Sequence, residues 1–190
     1  DPELDQMLFY LPLAGSTFKK VYYDANLGRA VSKFIPAEDL VVPYTATNLE
    51  ECERVTHILK RTDNDIKKMQ VSGFYRDVDL QVIEEERKVE EKERKLSGIQ
   101  KTGYRDDQYT LLEMHVDLDV PGFEDPDGIK LPYIITIDEG SGNVLSIYRN
   151  YKDGDTLYKK QQYFVHYKFM PGLGFYGFGL IHMIGGLSRT

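Results

Sequence analysis

The chain has one cysteine, no tryptophan and four histidines among its 190 residues. A single thiol, Cys52, excludes an intrachain disulfide framework, and the lack of any CxxC pair excludes a zinc ribbon. One cysteine suits a reducing compartment or a protein indifferent to redox state. No charged segment followed by an apolar stretch opens the sequence, so no signal peptide is read. Long apolar runs are missing too. The most apolar stretch, Phe175 to Leu187, spans 13 residues with His182 and four glycines. A bilayer span needs about 20 apolar residues. Cations are outnumbered, with Lys+Arg 24 against Asp+Glu 31 and a net charge of −7. That balance argues against a surface that grips nucleic acid throughout, while leaving room for a local basic patch. No Walker A sequence, no GxSxG and no repeat of solenoid period is present.

A hydrophobic fraction of 41% is enough for a packed core and too high for a wholly disordered chain. The length fits one ordinary domain or two small ones. The aromatics are skewed to 14 Tyr and 9 Phe. A tyrosine carries an apolar ring with a polar tip, which suits half-buried strands and contact surfaces.

Along the chain, Met7–Leu11 is a short apolar run before Pro12, readable as strand or as the end of a helix. Phe18–Tyr23 is rich in strand formers, Asp24–Gly28 reads as a turn, and Val31–Ile35 as the return strand of a hairpin. Pro36–Asp39 reads as a further turn and Leu40–Val42 as a buried strand. Val55–Arg61 alternates as a strand. Thr62 or Asp63 then caps a helix over Asp63–Gln70, with acids at its start, lysines near its end and Gly73 as its stop. From Leu80 to Leu96 runs a charge block with Glu84 and Lys88, and Glu91 and Lys95, each spaced for helical ion pairs. Its apolar residues Ile83, Val89 and Leu96 form a thin stripe. This is a solvated projecting helix or one that packs on a partner subunit by that stripe. Gly98 ends it, and loop follows to Asp107.

Leu112, Met114, Val116, Leu118 and Val120 alternate with Glu113, His115, Asp117 and Asp119, which predicts a half-buried strand with one polar face. Tyr133–Asp138 and Val144–Arg149 flank a glycine-bearing loop and predict a hairpin. Gln162–Phe169 is the final strand. The fold class is α+β, helical in the middle and β-rich in the last third. The divisions are 1–107 with the charged helix near 80–97, a β-rich part over 108–170, and a glycine-aromatic connector over 171–190. Ser188 or Thr190 would be a natural helix N-cap, yet the sequence stops there, which reads as an excised piece of a longer polypeptide or as a processed mature protein.

Candidate chemistry is thin. Gly172–Gly177 matches GxGxxG after a strand, but Pro171, Phe175 and Tyr176 open a helix poorly. A connector that bends and packs its rings is the better reading. Asp117, Asp119, Glu124, Asp125 and Asp127 cluster, but Val120–Phe123 breaks calcium-loop spacing, so turn acids on a solvated face are favoured over a divalent site. Cys52, His57, His115, His166 and His182 show no ligand spacing, and His115 and His166 read as ordinary surface residues. Lys19–Lys20, Lys67–Lys68 and Lys152–Lys160 are the local basic clusters, suited at most to phosphate contact without sequence reading.

Several strings do resemble one family. They are Leu13–Asp24, Phe34–Tyr44, Glu53–His57, the glycine-aromatic run Gly172, Phe175, Tyr176, Gly177 and Gly179, and Gly185–Thr190. Together these resemble the portal, or head-tail connector, proteins of short-tailed double-stranded DNA bacteriophages and prophages, over nearly the whole chain but only the middle of such a protein. The resemblance implies a structural subunit of a homo-oligomeric ring, usually a dodecamer, at one capsid vertex of the virion, present in the host cytoplasm during assembly. It implies viral genome packaging and DNA ejection through the ring's channel. The implied partners are further copies of itself, the terminase large subunit, a tail adaptor, capsid and scaffold proteins, and double-stranded DNA passing non-specifically, with no membrane. It implies a hairpin-rich portion: a wing from the N-terminal hairpins and the Asp63 helix, a clip-like surface within Leu131–Phe169, and a connector toward a channel helix beyond Thr190. No enzyme activity, no catalytic or metal-binding residue and no cofactor is expected. The oligomer-interface candidates are Phe175, Tyr176, Phe178, Ile83, Val89 and Leu96. Two other readings remain open: a soluble virion scaffold or adaptor module without a channel, and an enzyme using Asp117, Asp119 and Asp125 as a metal site.

Overall fold

The computed structural model describes residues 2–24, 27–82 and 108–185. The fold is α+β and antiparallel throughout. Helix α1 (Pro2–Ala14) leads into strand β1 (Ser16–Asp24) and strand β2 (Arg29–Pro36). A 3₁₀ turn at Ala37–Asp39 precedes β3 (Leu40–Val41), β4 (Arg54–Thr62) and α2 (Asp63–Val71). Then come β5 (Gln108–Leu118), β6 (Leu131–Asp138), β7 (Val144–Arg149), β8 (Phe164–Lys168) and α3 (Leu180–Gly185). The strands form two sheets, ordered β2-β1-β8 and β3-β4-β5-β6-β7.

Most of the local expectations hold. The β1–β2 hairpin and the β6–β7 hairpin sit where alternation and turn residues put them. Thr62 caps α2 by accepting from Asp65 N–H at 3.3 Å, and Gly73 N–H donates to Gln70 O just past its end. Thr62→Ala is expected to lower the unfolding free energy by about 1 kcal/mol, read as a lower urea midpoint at unchanged slope. Met7–Leu11 resolves as helix. Pro12 does not stop it but sits inside its last turns. The bond Pro12 cannot donate would have gone to the carbonyl of Leu8, an exposed residue, so water can serve that oxygen. Acids at Glu3 and Asp5 favour the α1 N-terminus. The helix expected over 80–97 falls on residues 83–107 and so lies outside the described residues; Leu80, Gln81 and Val82 before it are irregular chain.

The expected boundary at residue 107 runs through both sheets. β4 and β5 pair along nine positions, from Arg54 opposite Val116 to Thr62 opposite Gln108. β1 pairs with β8, from Ser16 opposite Lys168 to Lys20 opposite Phe164. The core between the sheets follows from that crossing: Phe18, Ile35, Phe164 and Phe175 meet Leu40 and Val55, with Leu49 and Cys52 closing one side. Cys52 is buried and its thiol donates to Arg54 O at 2.9 Å.

β5 departs from its expected half-exposed form. The polar face is the more deeply buried one, because it is the face on which the three-stranded sheet sits. Leu111 and His115 are buried there and Glu113 nearly so. The apolar face, with Met114, Val116 and Leu118, packs only partly, under Tyr151 and Tyr158. β5 is the middle strand of five. A middle strand is covered on both faces when another layer lies on it, and alternation alone cannot report that layer.

Candidate subunit interface

Two arrangements stand out: a buried polar joint between the sheets, and a glycine crossing that assembles an exposed apolar surface. The joint starts at Lys20 on β1. Its ammonium donates to both oxygens of Glu113 on β5, at 2.5 and 2.7 Å. His115 Nε2 lies 2.9 Å from Glu113 Oε1 and donates to it, since a carboxylate can only accept. His57, opposite Glu113 on β4, is buried with no hydrogen-bond partner for Nδ1. Phe164 lies edge-on to both His57 and His115.

The electrostatics follow from this crowding. Burial alone pushes the Glu113 carboxyl up, but the bond from His115 and the Lys20 charge reverse that and hold it down at about 2. Burial first, and then Lys20, push His57 down to about 4. The joint is therefore a paired cation and anion beside a neutral imidazole. His115, expected on the surface, is thus buried: β8 arrives from about 50 residues further along the chain to cover it. His166 is also not an ordinary surface residue. Its ring stacks 4.3 Å from Phe18 and 4.8 Å from Phe175, and burial lowers its pKa to about 4.

The second arrangement centres on Gly15, Gly177 and Gly179. A Cβ on Gly179 would lie 2.2 Å from Leu13 O, and one on Gly177 would lie 2.6 Å from Gly15 O. Gly177 N–H donates to Ser16 Oγ at 2.8 Å. Here the chain from Gly172 to Gly179 bends and buries the Phe175 ring. It passes so close to the α1–β1 junction that only hydrogen fits at these positions. Past the crossing, α3 starts at Leu180 and lies against α1.

Of the interface candidates, Phe175 is taken up inside the chain, 6% exposed and stacked on Phe18 and His166. Tyr176 and Phe178 are each 44% exposed, and Tyr176 OH donates to Leu40 O. Ile83, Val89 and Leu96 lie outside the described residues. Composition and spacing missed the larger apolar surface. On α1, Leu8 and Phe9 are 55% and 68% exposed; on α3, Ile181 and Ile184 are 61% and 57% exposed. The outer face of the three-stranded sheet adds Val21, Tyr23, Val165 and Tyr167, all exposed. Its sequence signals were the apolar stretch from Phe175 to Leu187 and the Met7–Leu11 run, which shows this face only once read as a helix.

The other sequence candidates disperse. Asp125 accepts from Tyr158 OH at 2.8 Å and from Asp127 N–H at 3.0 Å, and Glu124 accepts from Gly122 N–H, so these acids hold their loop. Among the described residues no three His, Cys, Asp or Glu side chains converge as metal ligands. Lys20 is committed to Glu113, Lys67 pairs with Asp77 at 3.1 Å, and Lys160 donates to Cys52 O. Among the described residues no helix is long and apolar enough to cross a membrane. The chain is a two-sheet antiparallel α+β protein with an exposed apolar helix pair. No family model matches its sequence, and no curated protein matches it.

Proposed function

We propose that this chain is part of a structural subunit of a bacteriophage portal ring. The single observation that carries the reading is the apolar surface of α1, α3 and the outer face of β1 and β8. Isolated exposed hydrophobics are ordinary, but side chains such as Leu8, Phe9, Ile181 and Ile184 on two adjoining helices form a patch of the kind that marks an interaction surface. A ring is built from heterologous contacts, each subunit presenting one surface to a different surface of the next. The string resemblance at Leu13–Asp24 and Phe34–Tyr44 supports the choice of family, and the patch supports an assembling role.

In this reading the wing-like and clip-like portions are one continuous body, because β4 of the first pairs with β5 of the second. Terminase, tail adaptor, capsid and scaffold proteins dock on the ring, and double-stranded DNA passes through it without sequence reading. A net charge of −7 supports passage, since tight phosphate binding would hold DNA in place. The site of action is the capsid vertex, after assembly in the host cytoplasm.

The test pairs assembly with stability. Phe9→Asp and Ile184→Asp change exposed positions, so each is expected to leave the urea midpoint within about 0.5 kcal/mol of the parent. Each is also expected to shift the full-length gene product from large oligomers to monomers in size-exclusion chromatography with light scattering. Oligomers that persist unchanged in both variants would remove the patch from the assembling surface.

A further inference from the structure

An edge strand carries unpaired backbone donors and acceptors, and folded proteins usually cover or blunt them. β7 is the outer strand of the five-stranded sheet. Asn150 N–H donates to Pro132 O at 2.8 Å, which fixes the register of this edge. Antiparallel pairs alternate, so Ser146 and Tyr148 bond to β6 while Leu145, Ile147 and Arg149 turn their backbone groups outward. Leu145 is covered: Arg76 N–H donates to its carbonyl at 2.8 Å, and Arg76 Nη1 reaches Val144 O at 3.4 Å. Before Arg76 the chain lies beside Tyr148, whose hydroxyl donates to Phe74 O, and after Arg76 it runs away from Arg149. Asn143 Nδ2 holds Asp79 O, and Asp138 holds Gln81 N–H. Among the described residues no segment pairs with the outer side of Ile147 and Arg149.

This open edge borders a groove of about 400 Å³ lined by Gly73–Arg76 and Val144–Tyr148. The rings of Phe74 and Tyr148 stack 5.0 Å apart at 23°, and Tyr148 OH donates to Phe74 O at 2.7 Å. Both rings and Ile147 are exposed. Arg76 and Arg149 are exposed as well, in a chain of net charge −7. Of the exposed acids that follow Arg76, Asp77 is engaged with Lys67, and Asp79 lies at the far end of the strand, where Asn143 holds its carbonyl. The patch is therefore aromatic and locally basic, with backbone groups waiting at its rim.

We propose that the open edge of β7 and the Phe74–Tyr148 groove take an extended, acidic segment of a partner protein by strand addition. Main-chain bonds to Ile147 and Arg149 would supply affinity, and alternate side chains would supply selectivity. One face of the added strand meets the Phe74 and Tyr148 rings. The other face meets Ile147 and Arg149, where an acidic side chain is matched. A second copy of this chain fits less well, because both edges of its three-stranded sheet carry cations, Arg29 and Lys33 on β2 and Lys168 on β8, and would set like charges together. This proposal does not depend on the portal reading.

The probes are two labelled, end-blocked octapeptides, one of alternating glutamate and valine and one of alternating lysine and valine, followed by fluorescence anisotropy. The glutamate peptide is expected to bind with Kd on the order of 100 μM and the lysine peptide ~10-fold more weakly. The double variant Arg76→Glu, Arg149→Glu is expected to reverse that order. Ile147→Pro removes an outward N–H on an edge strand, where proline is tolerated, and is expected to cost ~10-fold or more in binding. If Ile147→Pro does not fold, a glutamate peptide methylated on alternate backbone nitrogens carries the same test on the parent protein. Three results would overturn the proposal. The first is no binding of the glutamate peptide up to about 1 mM. The second is binding unaffected by both backbone changes. The third is self-association that Ile147→Pro abolishes, which would give the edge to a second copy.

Discussion

Gly179→Ala is expected to be among the most damaging single methyls in the described chain. The new Cβ would stand 2.2 Å from Leu13 O, 2.5 Å from Gly15 N and 2.8 Å from the Ala14 carbonyl carbon. All three are backbone atoms, so no side chain can swing aside. The crossing must open, and with it go the seating of α3 on α1 and the Gly177 N–H to Ser16 bond. Overpacking of this kind costs about 3 kcal/mol or more, a large share of the ~5–15 kcal/mol that holds a domain folded. Gly174→Ala is the control, since nothing lies within 4 Å of its Cβ. It is expected to change stability by less than about 0.5 kcal/mol. Urea unfolding followed by circular dichroism reads both variants. Equal midpoints for the two would show that the connector does not cross the α1–β1 junction this closely.

Acid should weaken the fold in two stages. His57 and His166 have folded pKa values lowered from 6.5 to about 4. The folded state therefore binds fewer protons than the unfolded state between these values, and stability falls as pH drops from 6.5 through 4. For buried His57 the shift corresponds to about 3 kcal/mol. His166 is partly exposed, and solvent screening cuts its share to roughly half of that. Glu113 acts lower: with its pKa held at about 2, its contribution is complete above 4.5 and is lost as pH falls from there toward 2. Urea midpoints at pH 7.5, 5.5 and 4.5 are expected to fall steadily. The double variant His57→Gln, His166→Gln should be less stable at pH 7.5 yet flatter between 7.5 and 4.5. A parent whose midpoint does not move over that range would mean that the imidazoles between the sheets are solvated.

Local physics made much of this fold legible. Two hairpins and the Thr62 cap declare themselves because their signals lie within a few residues of the structures they form. What failed to read through depends on partners far along the chain. Glu113 and His115 look like a solvated strand face until β8 and Lys20 are laid over them. Phe175 looks like spare ring surface until Phe18, 157 positions earlier, stacks on it. The α1 patch hid behind Pro12, whose usual role as a helix breaker lapses where the affected carbonyl belongs to an exposed residue. Tyr176 and Phe178 were foreseeable as half-exposed rings because so many aromatics crowd the run from Tyr163 to Phe178 that a small core cannot bury them all.

The central claim is that this α+β body belongs to a ring that conducts DNA at a capsid vertex. Electron microscopy of the full-length gene product tests it most directly. Closed rings with a central hole and a single dominant subunit number are expected, as closure of a cyclic assembly requires. A population that remains monomeric, or that forms open filaments instead of closed rings, would contradict it.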